Sequence, residues 1–255
     1  MKRILTGLVL TPLIVWIVLW GPHLAFLAVL TAVAVLCFYE YSGIVAAYGV
    51  RKPGPAGYAA GLILLFAQGD AALYVVLATL LLLAAAVFED DLKQALPRAA
   101  LTLAGVLYIF GVWRYAAILR LENQHWLMFA LALSWAGDVA ALYIGKTFGR
   151  HRLAPVVSPK KSWEGALASV AASMLFGVLY ATNLIPGTTA VQAALFAAAG
   201  NMAGQLGDLA ESAMKRGAGV KDSGTMLPGH GGWLDRVDSS LFAVPVVYFL
   251  VLYFG

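Results

Sequence analysis

The sequence predicts an all-α, polytopic membrane protein of about nine transmembrane helices with a cytoplasmic N-terminus. Three observations lead there. Of the 255 residues, 62% are apolar and 12% charged. A soluble domain carries roughly 25% charged residues, so the chain has about half the charge needed to clothe a globule of its size. The apolar residues fall in uncharged runs, and at about 20 residues per span these leave room for little besides membrane helices. A separate soluble catalytic domain is excluded. Finally, of the 17 Lys and Arg residues, all but Arg114 and Arg120 fall on one side when nine spans are threaded from an inside N-terminus, as short basic loops retained in the cytoplasm require.

The first run, residues 4–20, follows Met1-Lys2-Arg3 and has the outline of a secretory signal peptide. No small-residue cleavage site follows Trp20 and a second run begins almost at once, so it reads as the first anchor. The second run, 24–39, comes after the Gly21-Pro22 break and holds the single cysteine, Cys37, which leaves no intramolecular disulfide. Residues 57–67 are short for a full span and suit a thin or re-entrant helix. Removing them would send the later basic loops to the opposite face, so the nine-span threading keeps them. The remaining runs are 71–88, 99–119, 127–137, 165–185, 189–207 and 239–255. Residues 1–120 read as a scaffold of about five spans facing lipid. Residues 121–255 read as the catalytic region, with two long cytoplasmic loops at 145–162 and 215–238.

Those two loops are unlike the rest. The first, GKTFGRHRLAPVVSPKKS, has five Lys or Arg, one His and no carboxylate, a composition suited to an anion or a lipid headgroup. The second, KRGAGVKDSGTMLPGHGGWLDRVD, interleaves Gly217, Gly219, Gly224, Gly229, Gly231 and Gly232 with Lys221, Asp222, His230, Asp235, Arg236 and Asp238. Glycine lets backbone N–H groups approach an anion closely. Basic side chains neutralise phosphate, and carboxylates hold a divalent cation that bridges phosphate oxygens.

Carboxylates also stand within or at the ends of spans: Glu40, Asp138, Glu164, Asp208 and Glu211. An ionisable group at membrane depth costs about 2.5–3.5 kcal/mol even on lenient scales, which marks it as functional by default. Asp208, Glu211 and Ser212 share one helix face at the end of the eighth run, directly before the glycine-rich loop. Asp235 and Asp238, three apart, close that loop at the start of the ninth. Two acidic helix ends meeting beside a basic loop form a cage suited to Mg²⁺. Asp138 and Glu164 bracket the other loop, and Glu40 reads as a satisfied polar contact.

Other chemistries fail on the residues. The stretch ending Gly145-Lys146-Thr147 lacks the first glycine and the preceding strand of a Walker loop. Four histidines without HExxH spacing and one cysteine do not make a zinc site, and no G-x-S-x-G elbow occurs. Trp16, Trp20, Trp113 and Trp126 suit interfacial anchoring, so nucleic acid is not an expected partner. Nearly all charge on one face argues against an ion-coupled carrier.

The stretch from Ser212 through Lys215-Arg216, Lys221-Asp222-Ser223-Gly224 and Leu227-Pro228-Gly229-His230-Gly231-Gly232-Trp233-Leu234-Asp235-Arg236-Val237-Asp238 closely resembles the signature of phosphatidate cytidylyltransferases, or CDP-diacylglycerol synthases. Ser158-Pro159-Lys160-Lys161-Ser162-Trp163-Glu164-Gly165 resembles that family's second recurrent segment. Two departures, Trp233 for an aliphatic residue and Leu142-Tyr143 for Ala-Tyr, touch no charged position. The resemblance implies that CTP and phosphatidic acid give CDP-diacylglycerol and pyrophosphate with Mg²⁺, and with K⁺ a candidate second cation, at the cytoplasmic face of a bacterial-type inner membrane. It implies metal-site carboxylates at Asp208, Asp235 and Asp238. Catalytic roles go to Lys215, Lys221, Asp222, His230 and Arg236, and substrate contacts to Ser158, Lys160, Lys161, Ser212, Arg216, Gly229, Gly231 and Gly232. A homodimer is allowed by Gly200 and Gly204 at four-residue spacing. A CDP-alcohol phosphotransferase needs an Asp-Gly pair that is absent; a CTP-dependent polyprenol kinase is the nearer alternative.

Overall fold

The computed structural model describes residues 2–227, 229 and 231–255, with side chains from Leu10 onward. Among the described residues there are nine helices: α1 (Lys2–Leu19), α2 (His23–Ala47), α3 (Pro55–Leu65), α4 (Ala71–Ala86), α5 (Leu92–Glu122), α6 (Gln124–Phe148), α7 (Trp163–Leu184), α8 (Ala190–Gly217) and α9 (Leu234–Phe254). Five of them, α2, α5, α6, α7 and α9, are long and apolar enough to cross a membrane. Helix α3 has 11 residues, about 16 Å of rise, so it reaches only halfway through a hydrocarbon core of about 30 Å. Helix α8 is long enough, but Gln192, Asn201, Gln205, Asp208 and Glu211 dilute its apolar content.

The sequence reading is corrected at both long loops. Residues 145–162 are not one open loop. Helix α6 continues to Phe148, and an antiparallel hairpin follows, β1 (Arg152–Ala154) against β2 (Ser158–Ser162). Two bonds fix the hairpin to α7: Trp163 N–H donates to the His151 carbonyl at 2.9 Å, and Ser162 Oγ accepts from Gly165 N–H at 3.2 Å as an N-cap. The second loop is shorter than 215–238, because α8 runs through Gly217 and α9 begins at Leu234.

The chain forms two compact units, neither contiguous in sequence. The first comprises Met1–Pro12, Gly21–Arg114 and Met214–Arg236; the second comprises Leu13–Trp20, Tyr115–Ala213 and Val237–Gly255. In the first, fully buried Phe38 of α2 meets Tyr58 and Phe110 edge-on at 4.9 and 5.3 Å. A Cβ at Gly61 would strike the Phe110 ring and one at Gly105 the Tyr41 ring, so small residues set the helix spacing. A π-helical turn, Val106–Gly111, buries Val106, Ile109 and Phe110 together. The α2–α3 and α4–α5 connections are tied together: Glu89 is bound by Arg98 and, at 3.3 Å, by Arg51, and Arg98 Nε donates to the Lys52 carbonyl at 3.0 Å. Hydrogen bonding to Asp90 raises the Arg51 pKa above its ordinary value.

In the second unit α6 lies along α7. Gly137 is packed under Ser169 and Ser173, a Cβ on Gly145 would stand 3.7 Å from Gly165 Cα, and Gly177 abuts Ala197. Phe129, Trp126, Tyr180 and Phe196 form its aromatic core. The two basic residues assigned by sequence to the minority face both serve helix C-termini. Arg114 Nε donates to the Ala67 carbonyl beyond α3 in the first unit, and Arg120 Nε to the Val18 carbonyl of α1 in the second, at 3.2 and 2.9 Å. Guanidinium groups there satisfy carbonyls that have no helical partner.

Candidate functional site

In the first unit the site is the turn from α8 to α9. Lys215, in the last turn of α8, donates to Asp235 Oδ1 in the first turn of α9, and their side chains are 9% and 6% exposed. Asp235 Oδ2 accepts from Ser223 N–H at 3.0 Å and from Gly232 N–H at 2.7 Å. One carboxylate therefore fixes a helix end, the middle of the loop and its return. The glycines are demanded locally: Gly229 and Gly231 have φ of 78° and 79°, and a Cβ at Gly231 would stand 2.5 Å from Asp235 Oδ2.

Glu40 belongs to this cluster. It is 3% exposed in α2, and its Oε2 accepts from Ser223 Oγ–H and from Leu234 N–H, both at 2.9 Å. Around these groups Lys221, Asp222, Arg216 and Arg236 are exposed. Arg216 Nη1 donates to the Val220 carbonyl at 3.1 Å. His230 lies outside the described residues.

In the second unit Lys161 of β2 donates to Asp208 Oδ2 of α8, and Ser212 Oγ donates to Asp208 Oδ1 at 3.3 Å, one helical turn apart. Lys160 is exposed, and Ser158 sits opposite Ala154 in the hairpin. Asp208 and Lys161 line a cavity of about 20 Å³ with Asp138, Ser134, Ser169, Asn201, Gln205 and Ser239. Behind it a polar ladder crosses the helices. Asn201 Nδ2 donates to Ser169 Oγ and Ser173 Oγ at 3.1 and 2.9 Å, and Gln205 Nε2 donates to Asn201 Oδ1 at 2.7 Å. Asp238 is placed in the same unit by close packing, since a Cβ on Gly207 would come within 2.6 Å of the Asp238 carbonyl. Glu164 accepts from His151, Nδ1 to Oε1 being 2.7 Å.

Among the described residues, no three His, Cys, Asp or Glu side chains gather tightly enough to hold a metal by themselves. Mg²⁺ needs only one or two carboxylates when water and phosphate oxygens complete its shell. The oxygens near Asp208 fit that demand, with Asp138 on the same cavity wall and the buried Ser134 hydroxyl, which has no hydrogen-bond partner among the described residues. The ammonium groups of Lys161 and Lys215 meet the carboxylates at points a cation would also choose.

Sequence reasoning left out Glu40, Ser223 and Asp138 as site residues. Glu40 carried a signal, a carboxylate in an apolar helix, but its partners lie more than 180 residues away.

Among the described residues, five helices long and apolar enough to cross a membrane define a multi-pass α-helical membrane protein. The chain belongs to the cytidylyltransferase family, whose model matches residues 1–254. It is similar to the phosphatidate cytidylyltransferase of Bacillus subtilis, with 32% identity over 273 residues that cover 100% of this chain and 98% of that one. It is also similar to the proteins of that name from Synechocystis, 49% identical over 123 residues, and Staphylococcus saprophyticus, 36% over 154 residues. Those matches cover 48% and 60% of this chain and 42% and 59% of the relatives, so the chain spans about half the length of these two.

Proposed function

We propose that this chain transfers CMP from CTP to phosphatidic acid, giving CDP-diacylglycerol and pyrophosphate, with the reaction at the cytoplasmic face of a bacterial inner membrane and nine helices threaded from an inside N-terminus. A phosphate oxygen of phosphatidic acid attacks the α-phosphorus of CTP. That P–O bond forms as the bond from the α-phosphorus to the oxygen bridging it to the β-phosphorus breaks, and pyrophosphate leaves with that oxygen. The nucleophile is already anionic, so no activated serine or cysteine is needed, and the work is positioning and charge neutralisation.

The observation that carries this reading is the glycine turn pinned by Asp235 between Ser223 and Gly232, with Lys215 buried against it. Backbone N–H groups of a turn with positive-φ glycines can face phosphate oxygens. Lys215, Lys221, Arg216 and Arg236 supply positive charge in the first unit, with Asp222 and His230 as further catalytic groups. Lys160 and Lys161 supply charge on the hairpin of the second, where Ser158 and Ser212 add hydroxyl contacts. Asp208 and Asp238 in the second unit, and Asp235 in the first, would supply carboxylates to Mg²⁺, with K⁺ the candidate for a further cation. Bound Mg²⁺ would neutralise charge that builds on the departing pyrophosphate. Serving as a platform for phosphate, Gly229 and Gly231 admit no side chain between backbone and ligand, while Gly232, its N–H held by Asp235, shapes the turn.

The test is direct. Purified protein in detergent with Mg²⁺ should convert label from CTP into a chloroform-soluble product only when phosphatidic acid is present. Label that stays aqueous, or that reaches a polyprenol instead, would end the proposal.

A further inference from the structure

We infer that Glu40, a residue of the second helix, is a positioning residue for the glycine-rich turn: it acts as a remote N-cap of α9 and is the reason Gly224 must be glycine. The inference builds on the proposed function for its activity readout and on the geometry alone for its structural one.

Helix α9 starts at Leu234 after Trp233, a residue without a capping side chain, and its first N–H groups need acceptors. Glu40 Oε2 accepts directly from Leu234 N–H at 2.9 Å. It also accepts from Ser223 Oγ–H at 2.9 Å, and Ser223 Oγ in turn accepts from Asp235 N–H at 3.3 Å. One carboxylate oxygen thus serves the first two N–H groups of α9, the second through a hydroxyl relay. A negative group at this end also suits the helix dipole.

The same side chain dictates the turn around it. A Cβ on Gly224 would meet Glu40 at all three of its nearest approaches, 2.5 Å from Oε1, 2.8 Å from Cδ and 3.0 Å from Cγ. A Cβ on Gly232 would collide with Ser223 Oγ and Glu40 Oε2. Gly224 and Gly232 have no positive φ, so backbone conformation does not require glycine at either position; the Glu40 carboxylate does so at Gly224, and Ser223 Oγ together with that carboxylate does so at Gly232. Since Ser223 N–H also donates to Asp235 Oδ2 at 3.0 Å, Glu40 fixes through Ser223 the aspartate on which Lys215 rests. Glu40 touches no reacting group in this scheme; it acts through Ser223, Leu234 and Asp235.

Four variants test this: Glu40→Gln, Glu40→Ala, Gly224→Ala and Glu40→Ala combined with Gly224→Ala. Each is assayed for CDP-diacylglycerol formation across CTP concentration, and amide hydrogen exchange of residues 218–233 is followed in detergent. Glutamine keeps an acceptor oxygen for both donors, so Glu40→Gln should stay within about threefold of the parent kcat. Glu40→Ala and Gly224→Ala should each lose at least about tenfold in kcat and speed exchange of 218–233 at least about tenfold. The combined variant should be no worse than Glu40→Ala alone, because the colliding atoms are gone. Additive losses, an active Glu40→Ala, or a glutamine variant as poor as alanine would overturn the inference. If the parent protein makes no lipid product, the proposed function fails. The exchange data then decide on Glu40 by themselves, and unchanged exchange in Glu40→Ala refutes it.

Discussion

Lys215 and Asp235, twenty residues apart in sequence, form a buried ion pair that joins the last turn of α8 to the first turn of α9. Removing one partner of a buried pair leaves an uncompensated charge and typically costs about 3–5 kcal/mol. Lys215→Ala should therefore lower the thermal unfolding midpoint clearly and abolish turnover. Asp235→Asn keeps an acceptor oxygen for Gly232 and Ser223 N–H but also leaves the buried Lys215 ammonium without its carboxylate, so part of that stability loss is expected here too. This variant should remain folded and inserted while losing more than about tenfold in turnover, about 1.4 kcal/mol or more of transition-state stabilisation. Unfolding in detergent and the CTP assay separate the two cases, and more than about a tenth of parental activity in Asp235→Asn would remove Asp235 from the metal set.

Two glycines with similar backbone conformations should respond differently to alanine. Gly219 has φ 72° and nothing within 4 Å of where a Cβ would stand, so Gly219→Ala carries only the left-handed strain, about 1–2 kcal/mol. Gly231 has φ 79° and adds a collision with Asp235 Oδ2. Gly219→Ala should keep turnover within about threefold and Gly231→Ala should lose more than about tenfold, since the loop holding Asp235 must shift. Equal losses in the two variants would mean that conformational strain alone, not the approach to Asp235, sets the requirement.

The helices were legible in the sequence because an apolar run without charge allows little else at membrane depth. All nine expected runs have a helix, including the short one that became Pro55–Leu65. The hairpin at 152–162 was not legible. Its strands are three and five residues long with basic, exposed positions, and it is fixed by backbone bonds from Trp163 and a cap from Ser162 rather than by an alternating apolar pattern. At the site, the spacing of Asp208 with Ser212 was readable because a helix puts i and i+4 on one face. The Lys161–Asp208 pair and the Glu40–Ser223 contact were not, because each depends on a tertiary approach across 47 and 183 residues. Asp138, a flank of the basic loop in the sequence, also lines the cavity with Asp208.

Orientation can be read with a single introduced thiol. Cys37 is 0% exposed, so the parent protein should give little background with a membrane-impermeant maleimide. Thr225, in the glycine-rich turn, and Pro186, between α7 and α8, are both exposed. In intact spheroplasts Pro186→Cys should label and Thr225→Cys should not, with the latter labelling only after the membrane is opened. Labelling of Thr225→Cys in sealed spheroplasts would put the turn on the outer face, away from cytoplasmic CTP.

Metal dependence gives the last test, through Lys161. Its ammonium lies on Asp208 Oδ2, with both side chains about a third exposed at 30% and 34%, so solvent screens the pair and its loss should cost little stability. As a phosphate-binding cation in the reaction it matters more: a hydrogen bond to a charged group is worth about 1.5–3 kcal/mol, about tenfold to a hundredfold in rate. Lys161→Ala should thus lower kcat/KM for CTP by at least about tenfold with an unfolding midpoint close to the parent's. Chelation with EDTA should stop the parent enzyme, and excess Mg²⁺ should restore it with or without K⁺. In Lys161→Ala the Mg²⁺ concentration for half-maximal rate should not rise, because a competing cation has left Asp208. A large rise would show that Lys161 helps to build the metal site rather than sharing its carboxylate, and activity that survives EDTA would remove Mg²⁺ from the reaction.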